Sequence, residues 1–271
     1  MRKVTIALLA LGLVVATSAF ASNAVRISQA YGGGGNSGAY YKYDYVELFN
    51  SSSTPVNISG WTIQYASATS TLFGGSSNFY VQFPTGATIP ACGYYLIQLA
   101  AGASTTALPL PVTPDATGNI AVSGTAFKIG LATSGTTTTC ATATWVDLAT
   151  FNSTQCFETA TGPTLSNTLA GVRGNGGMTD NDNNSTDFSA VTCNNTLPIH
   201  NSGSAANPAC LPPTGACCLR NSTPGACVVT TVANCAVLGG IFLGVGVPCE
   251  PVPCITPTNR TTWGKVKTIY R

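Results

Sequence analysis

One segment of the chain has the residue types that bind a hard metal ion. Asp180, Asp182, Asn184 and Asp187 fall within eight residues. Ca²⁺ takes roughly six to eight oxygen ligands, and alternating carboxylates and amides on an irregular loop supply several of them. The pattern departs from an EF-hand because its sixth position is Ser185 instead of glycine. The alternative is a loop whose Asx side chains bond to their own backbone. The sequence favours that loop over a Ca²⁺ site, and Ca²⁺ is the only cofactor it suggests.

Catalysis through an imidazole would depend on His200, the only histidine of the chain. A Ser-His-Asp triad needs an acid beside the histidine, and none is near His200 in sequence. Asp44 and Glu47 are the candidate pair of glycosidase carboxylates, but their spacing in a strand directs them to opposite faces. The sequence therefore predicts a chain that is not an enzyme, with no catalytic residues and with His200 in an exposed loop.

A glycine run, Gly32 to Gly35, raises the question of a phosphate-binding loop. It lacks the Gly-Lys-Ser/Thr ending of a P-loop, and no helical pattern follows it. The run is therefore predicted to be a flexible loop between two strands.

These residues must be positioned by β-strands. Short apolar runs rich in Val, Ile, Tyr, Phe and Thr alternate with clusters of Gly, Asn, Ser and Pro. Only 7% of the residues are charged. The pattern predicts an all-β sandwich or barrel, with strands near 25–31, 43–50, 55–65, 79–84, 93–100, 125–132, 143–151 and 168–173.

Four residues are predicted to form part of the core. Val46 and Leu48 share one face of a strand by alternation. Tyr95 lies in the apolar run Tyr94-Tyr95-Leu96-Ile97. Trp61 follows Gly60 in a β-rich stretch, where its ring is expected to fill the gap between two sheets.

The longest motifs carry a resemblance to a known family. The residues VRISQAYGGGGNSGA from Val25, YDYVELFN from Tyr43, TPVNISGW from Thr54, ACGYYLIQ from Ala91 and DNDNNSTDF from Asp180 are similar to the bacterial form of the lamin tail domain. The resemblance covers about residues 24–205. It implies an immunoglobulin-like β-sandwich that acts as a binding and tethering module and has no catalytic residues.

The N-terminal 21 residues have the pattern of a signal peptide. Arg2 and Lys3 precede a short apolar stretch, and Ala19-Phe20-Ala21 offers a cleavage site. Cleavage after Ala21 predicts a secreted or cell-surface protein whose mature chain has no transmembrane segment. It also leaves nine basic residues against nine acidic ones, a balance that disfavours nucleic acid as a partner.

The cysteines divide into two groups, five upstream and six in a compact C-terminal module. A Pro-rich linker, 206–214, precedes that module, 215–254. Six cysteines in a short exported segment predict three disulfides, formed among Cys217, Cys218, Cys227, Cys235, Cys249 and Cys254. A zinc knuckle is the less favoured alternative, because C-x₂-C pairs and a nearby histidine are missing.

For the upstream cysteines we expect Cys140 to pair with Cys156 and Cys193 with Cys210, because each bridge closes a short loop. Cys92 would then be the odd thiol, buried in the fold.

The segment 255–271 forms a spacer followed by a basic and aromatic stretch. Trp263, Val266 and Tyr270 have helical spacing, and Arg260, Lys265, Lys267 and Arg271 occur there without an acidic residue. Docking on an anionic surface and simple packing or disorder both remain open, and the sequence favours the second.

The sequence thus predicts a non-catalytic secreted or cell-surface binding or scaffold protein. The ligand would be an extracellular polymer or protein. The alternative is an accessory targeting subunit of a secreted hydrolase or nuclease, whose partner supplies the catalysis.

Overall fold

The larger of the two β-sheets of the sandwich has six strands. A computed structural model describes residues 24–140, 144–219, 226–250 and residue 254. All neighbours in this sheet are antiparallel except the last pair, which is parallel. In spatial order the strands are β14 (Phe188–Thr192), β13 (Leu169–Arg173), β1 (Val25–Tyr31), β2 (Tyr43–Asn50), β8 (Tyr94–Ala101) and β9 (Ala116–Thr117).

The second sheet has four antiparallel strands, in the order β12 (Asp147–Phe151), β10 (Phe127–Ala132), β4 (Thr62–Ser67) and β6 (Tyr80–Gln82). Two small ribbons complete the domain. β5 (Leu72–Gly74) pairs with β11 (Thr137–Thr139), and β3 (Val56–Asn57) pairs with β7 (Thr88–Ile89). The domain is therefore the expected all-β, immunoglobulin-like sandwich, with few helical residues.

The main core lies between the two sheets. Val46 and Leu48 of β2 are fully buried in it, and Tyr95 of β8 belongs to the same cluster. Trp61 differs from the prediction, because it is only partly buried and packs against the edge of this core. The cause is local: the predicted strand 55–65 is interrupted by a turn, closed by a 3.0 Å bond from Trp61 N to Ile58 O, and Gly60 there has φ of 77°. That turn leaves Trp61 partly exposed.

The larger sheet is buried on its outer face as well. We name residues 193–210 the outer strap, because they follow β14 and contact β1, β2 and β8 from outside. Leu197 and Ile199 of the strap share a second apolar cluster with three buried tyrosines and Cys193; the tyrosines are Tyr31, Tyr41 and Tyr45. β2 is consequently covered on both sides.

The glycine run is tightly packed, so its predicted flexibility is wrong. A Cβ on Gly34 would collide with the backbone of Tyr43, and one on Gly35 with that of Gly102. Gly35 also has φ of 65°, a conformation that favours glycine. The run is the place where two backbone segments approach closely.

The C-terminal module is a three-stranded antiparallel sheet with a short helix. Its strands are ordered β16 (Cys227–Thr231), β15 (Thr214–Cys218), β17 (Ile241–Phe242). Helix α2 (Val232–Val237) is capped by the Thr231 side chain, which accepts a hydrogen bond from Asn234 N. The remaining helix, α1 (Asn184–Asp187), precedes β14. Among the described residues no helix is long and apolar enough to cross a membrane.

Candidate functional site

A buried acid of β2 contacts the single histidine of the chain. Glu47 Oε2 accepts a 2.6 Å hydrogen bond from His200 N and lies 3.2 Å from His200 Nδ1. The imidazole stacks on the Tyr94 ring at 4.1 Å between centroids, and its side chain is 26% exposed. His200 lies in a loop and has no acid near it in sequence, as expected, but it is only partly exposed and contacts an acid that is distant in sequence. The sequence could not show this contact, because it joins the strap to a strand 153 residues away.

The order of the groups around Glu47 differs from that of a catalytic triad. Ser28 Oγ donates a 2.6 Å bond to Glu47 Oε1, and His200 contacts the other oxygen of the same carboxylate. The acid thus lies between the hydroxyl and the imidazole, whereas a triad requires the imidazole between nucleophile and acid. Ser28 is also buried. This arrangement holds elements together and does not activate a nucleophile.

Further polar contacts attach the strap along its length. Gln29 Nε2 donates to Pro198 O at 2.7 Å, Ser202 N to Asp115 Oδ2 at 3.0 Å, and Asn207 Nδ2 to Asn175 O at 3.0 Å. A disulfide between Cys92 and Cys210 closes its far end. The strap is therefore a fixed part of the sandwich.

Asp44 and Glu47 do not form a shared carboxylate site. Asp44 accepts hydrogen bonds from Gly34 N at 2.6 Å and from Val122 N at 2.7 Å. Burial raises the pKa of Asp44 to about 7, and the amide bonds act against that rise. The neighbouring glycine amides are also occupied, since Gly33 N donates to Val122 O and Gly35 N to Tyr41 O. These three amides are therefore not available to a phosphate.

Arg173 and Asp147, which the sequence does not single out, form a charged network with Asp180 and Asp187 beside β12. Arg173 is fully buried, and its Nη2 lies 2.8 Å from each carboxylate oxygen of Asp147. Its Nη1 lies 3.2 Å from Asp180 and 3.5 Å from Asp187. Burial raises the pKa of Asp147, and Arg173 opposes that rise. Burial alone would lower the pKa of Arg173, but Asp147 and Asp180 raise it above its ordinary value.

The proposed metal ligands are placed around this network. Asp187 accepts from Asn181 N at 2.9 Å and from Asn181 Nδ2 at 2.7 Å. Asn184 is buried and points the other way, with its Oδ1 accepting from Thr150 and its Nδ2 donating to Leu148 O. Asp182 is exposed, with φ of 51°. This geometry fits the Asx-loop alternative.

In the part of the chain that the structure describes, no group of three or more His, Cys, Asp or Glu side chains is arranged to hold a metal. The Asn183 side chain instead caps α1 by accepting from Ser185 N.

The disulfides correct one predicted pairing. Cys92 pairs with Cys210, so Cys193, the first residue of the strap, is the unpaired thiol, and it is buried. Proximity in sequence misled the prediction, since the fold brings the Cα atoms of residues 92 and 210 to 5.5 Å. Cys140 pairs with Cys156, and the module contains the bridges Cys217–Cys235, Cys218–Cys254 and Cys227–Cys249.

Two open grooves lie on the surface of the sandwich. One, of about 530 Å³, lies between residues 35–38 and 103–106 and is lined by glycine, amide and hydroxyl groups. The other, of about 370 Å³, lies between β14 and the start of the strap. The first is more polar, and the packed contact of Gly35 with Gly102 fixes its two walls.

The chain matches the model of a known family. The family model of the Lamin Tail Domain matches residues 18–152. No curated protein matches the chain. The match supports the resemblance seen in the sequence motifs, and the family is one of immunoglobulin-like domains without enzymatic activity.

Proposed function

We propose, from this match to the lamin tail domain, that the chain is a non-catalytic binding or scaffold protein that is secreted or displayed at a cell surface. The polar groove between residues 35–38 and 103–106 carries the proposal. Its walls are fixed by backbone packing at Gly35 and Gly102, so the ligand meets a preformed surface and little ordering is needed.

The chemistry of the groove suits a neutral, hydrogen-bonding ligand. Asn36, Ser37, Ser104 and Thr106 present amide and hydroxyl groups, and no charged side chain lines the groove. A polysaccharide or an exposed polypeptide backbone offers matching donors and acceptors. In the function that we propose, the ligand is therefore an extracellular polymer or protein.

The disulfides support an extracellular location. Ten of the eleven cysteines are paired, and disulfides persist mainly in oxidising compartments. The signal-peptide pattern of the first 21 residues supports the same location.

A binding panel tests the proposal. The full chain is incubated with insoluble polysaccharides and with immobilised matrix proteins, and bound protein is quantified. Thr106→Trp, which fills the groove, should abolish binding, whereas Thr88→Trp, on the exposed ribbon strand β7, should not. Equal loss in both variants, or no binding to any polymer or protein, would reject the groove as the site. Recovery of a hydrolase or nuclease with the chain from culture medium would favour the accessory-subunit alternative.

A further inference from the structure

Strand β14 forms one end of the larger sheet and pairs with β13 through an unbroken antiparallel register from Phe188 to Thr192. Cys193 N, directly after the strand, donates to Thr168 O on the β13 side at 2.9 Å. The backbone groups of successive residues in an antiparallel strand point alternately to its two edges. Ala190 and Thr192 therefore direct their N–H and C=O groups away from β13.

These outward backbone groups lack a protein partner in the described part of the chain. Phe188 N, which also points outward, donates to Asn184 O of α1. No described residue donates to or accepts from the outward groups of Ala190 and Thr192, and both residues are exposed. We name the C=O of Phe188 and the N–H and C=O groups of Ala190 and Thr192 the β14 edge.

The end strand β12 of the smaller sheet shows the opposite arrangement. Thr150 N donates to Asn184 Oδ1 at 3.1 Å, and Leu148 N donates to Glu158 Oε1 at 3.2 Å. Leu148 O accepts from Asn184 Nδ2 at 2.8 Å, and Thr150 O accepts from Gly162 N at 2.9 Å. The fold thus satisfies the outer edge of β12 internally, whereas the described residues leave the β14 edge open.

The sequence of β14 permits a further strand to pair with it. Its five residues, FSAVT, include no charge and no proline, and its register with β13 contains no bulge. Charges, prolines and bulges are the means by which edge strands avoid pairing with another chain. β14 is also longer than the edge strands β6 and β9, which have three and two residues.

The smaller of the two surface grooves runs beside the β14 edge. It has a volume of about 370 Å³, and no charged side chain lines it. Val191 of β14 and Leu197 of the strap supply apolar groups that belong to one cluster. The strap wall is fixed, because Asn194 Oδ1 accepts from Leu197 N at 3.0 Å and Asn194 O accepts from Tyr41 OH at 3.0 Å. A ligand therefore meets a preformed surface.

We infer that the β14 edge binds an extended, uncharged segment of a partner polypeptide, which adds a strand to the larger sheet. An extended polypeptide is the ligand whose donors and acceptors repeat at the spacing of a strand edge. The residue opposite Val191 has its side chain on the same face as Val191, so an aliphatic side chain there enters the groove. This surface is separate from the polar groove of the proposed function.

Peptide binding to the full chain, measured by fluorescence anisotropy, tests the inference. The probe is a capped, labelled peptide of alternating threonine and valine, which should bind saturably. Two further peptides carry N-methyl groups, one on every threonine amide and the other on every valine amide. Because only one edge of an added strand faces β14, one methylation pattern should abolish binding and the other should retain it. Equal effects of the two patterns, or no saturable binding of the first peptide, would overturn the inference.

Matched proline variants locate the site on the chain. Ala190→Pro removes an outward N–H and places a ring at the edge, and it should weaken peptide binding at least about fivefold, the equivalent of one backbone hydrogen bond. Gln82→Pro is the control. Phe83 N donates inward to Trp61 O, so Gln82 N points outward from the edge strand β6, and this variant should bind the peptide as the parent does.

A second variant keeps the test independent of any effect of proline on folding. Ala190→Lys adds a charge to the edge without removing an N–H, and it should also weaken peptide binding. Denaturant midpoints show which variants are folded. Unchanged binding by folded Ala190→Lys would overturn the inference, as would an equal loss in Gln82→Pro and Ala190→Pro.

Other occupants give distinct results. A concentration-dependent dimer that Ala190→Lys abolishes would assign the β14 edge to a second copy of the chain and overturn the inference. Thr106→Trp, which fills the polar groove, should leave peptide binding unchanged. Loss of peptide binding in that variant would place the peptide in the polar groove and likewise overturn the inference. Failure of the peptide test leaves the polymer-binding test of the proposed function unaffected.

Discussion

The imidazole Nδ1 of His200 lies 3.2 Å from Oε2 of Glu47. The single histidine of the chain thus connects the strap to β2 of the larger sheet. Glu47 also accepts from Ser28 Oγ and from His200 N. A single buried carboxylate thus connects β1, β2 and the strap.

Removal of the Glu47 carboxylate should destabilise the folded chain. Glu47→Ala leaves the His200 amide without its acceptor and the buried Ser28 hydroxyl with only its 3.1 Å bond to the backbone oxygen of residue 47. We expect this change to reduce the free energy of unfolding by about 3–5 kcal/mol. His200→Ala removes a partly exposed ring and should cost about 1 kcal/mol. Denaturant unfolding measures both, and equal costs would show that the carboxylate is not the central group.

Loss of Arg173 should destabilise the chain by a similar amount. Arg173→Ala leaves Asp147 buried without its cationic partner, which costs about 3–5 kcal/mol. Lys42→Ala, on the rim of the sandwich, is the control and should change stability by less than about 0.5 kcal/mol. Denaturant midpoints that agree between the two variants would contradict this role of Arg173.

The two sandwich disulfides should differ in their contribution. Cys92–Cys210 closes a loop of 118 residues in sequence separation, and Cys140–Cys156 one of 16. Loop-closure entropy gives about 4.7 kcal/mol for a loop of about 100 residues and about 3 kcal/mol for one of about 15. Replacing each pair by alanine and comparing unfolding free energies checks the order. Non-reduced peptide mapping should recover the Cys92–Cys210 link directly.

Stability should fall as pH rises from about 4 to about 8. Glu158 accepts hydrogen bonds from Leu148 N at 3.2 Å and from Asn184 Nδ2 at 2.8 Å. Burial raises the pKa of Asp44 to about 7 and that of Glu158 to about 8, whereas unfolded carboxyl groups titrate near about 4. The folded chain therefore binds more protons in this window, and each group removes at most about 1.4 kcal/mol of stability per pH unit. Their contribution is full below pH about 4 and is lost above pH about 8.

Denaturant midpoints at pH 4, 6 and 8 and constant ionic strength test the pH dependence. Glu158→Gln should flatten the fall, because that variant has no proton to release at this position. A midpoint that stays level or rises with pH in the parent chain would contradict the prediction.

Ca²⁺ should not bind the loop of Asp180, Asp182, Asn184 and Asp187. The carboxylate of Asp187 is occupied by Asn181 donors, and Asp180 pairs with Arg26 and Arg173. Calorimetric titration to millimolar Ca²⁺ should give no saturable heat. A saturable signal that Asp187→Asn abolishes would restore the metal site.

The sequence predicts the strands whose positions depend on the local pattern of apolar and turn residues. β1 and β2 were expected at 25–31 and 43–50 and occupy those residues, because alternation and glycine mark their ends. The sequence predicts one strand near 55–65, where the structure has β3 and β4. The turn at Gly60 separates them, and it depends on a backbone conformation that composition does not show. β14 (Phe188–Thr192) is not among the strands that the apolar runs predict.

The contacts that depend on the tertiary fold could not be predicted. Arg173 and Asp147 lie in strands of different sheets, and their pairing follows from how the sheets pack. The same holds for Cys92 with Cys210. The assumption that disulfides close short loops holds for Cys140 and Cys156. It fails for Cys92 and Cys210, because the strap brings together residues that are far apart in sequence.

Because Cys193 is a buried free thiol, its reactivity reports local opening of the fold. Its thiol is unpaired, lies at the start of the strap in the apolar cluster that the strap shares with the larger sheet, and has a pKa raised to about 12 by burial. A thiol reagent can react only when the strap lifts and the thiolate is exposed. The rate at which Cys193 is labelled therefore measures how often the strap opens locally, and no cysteine has to be introduced as a probe.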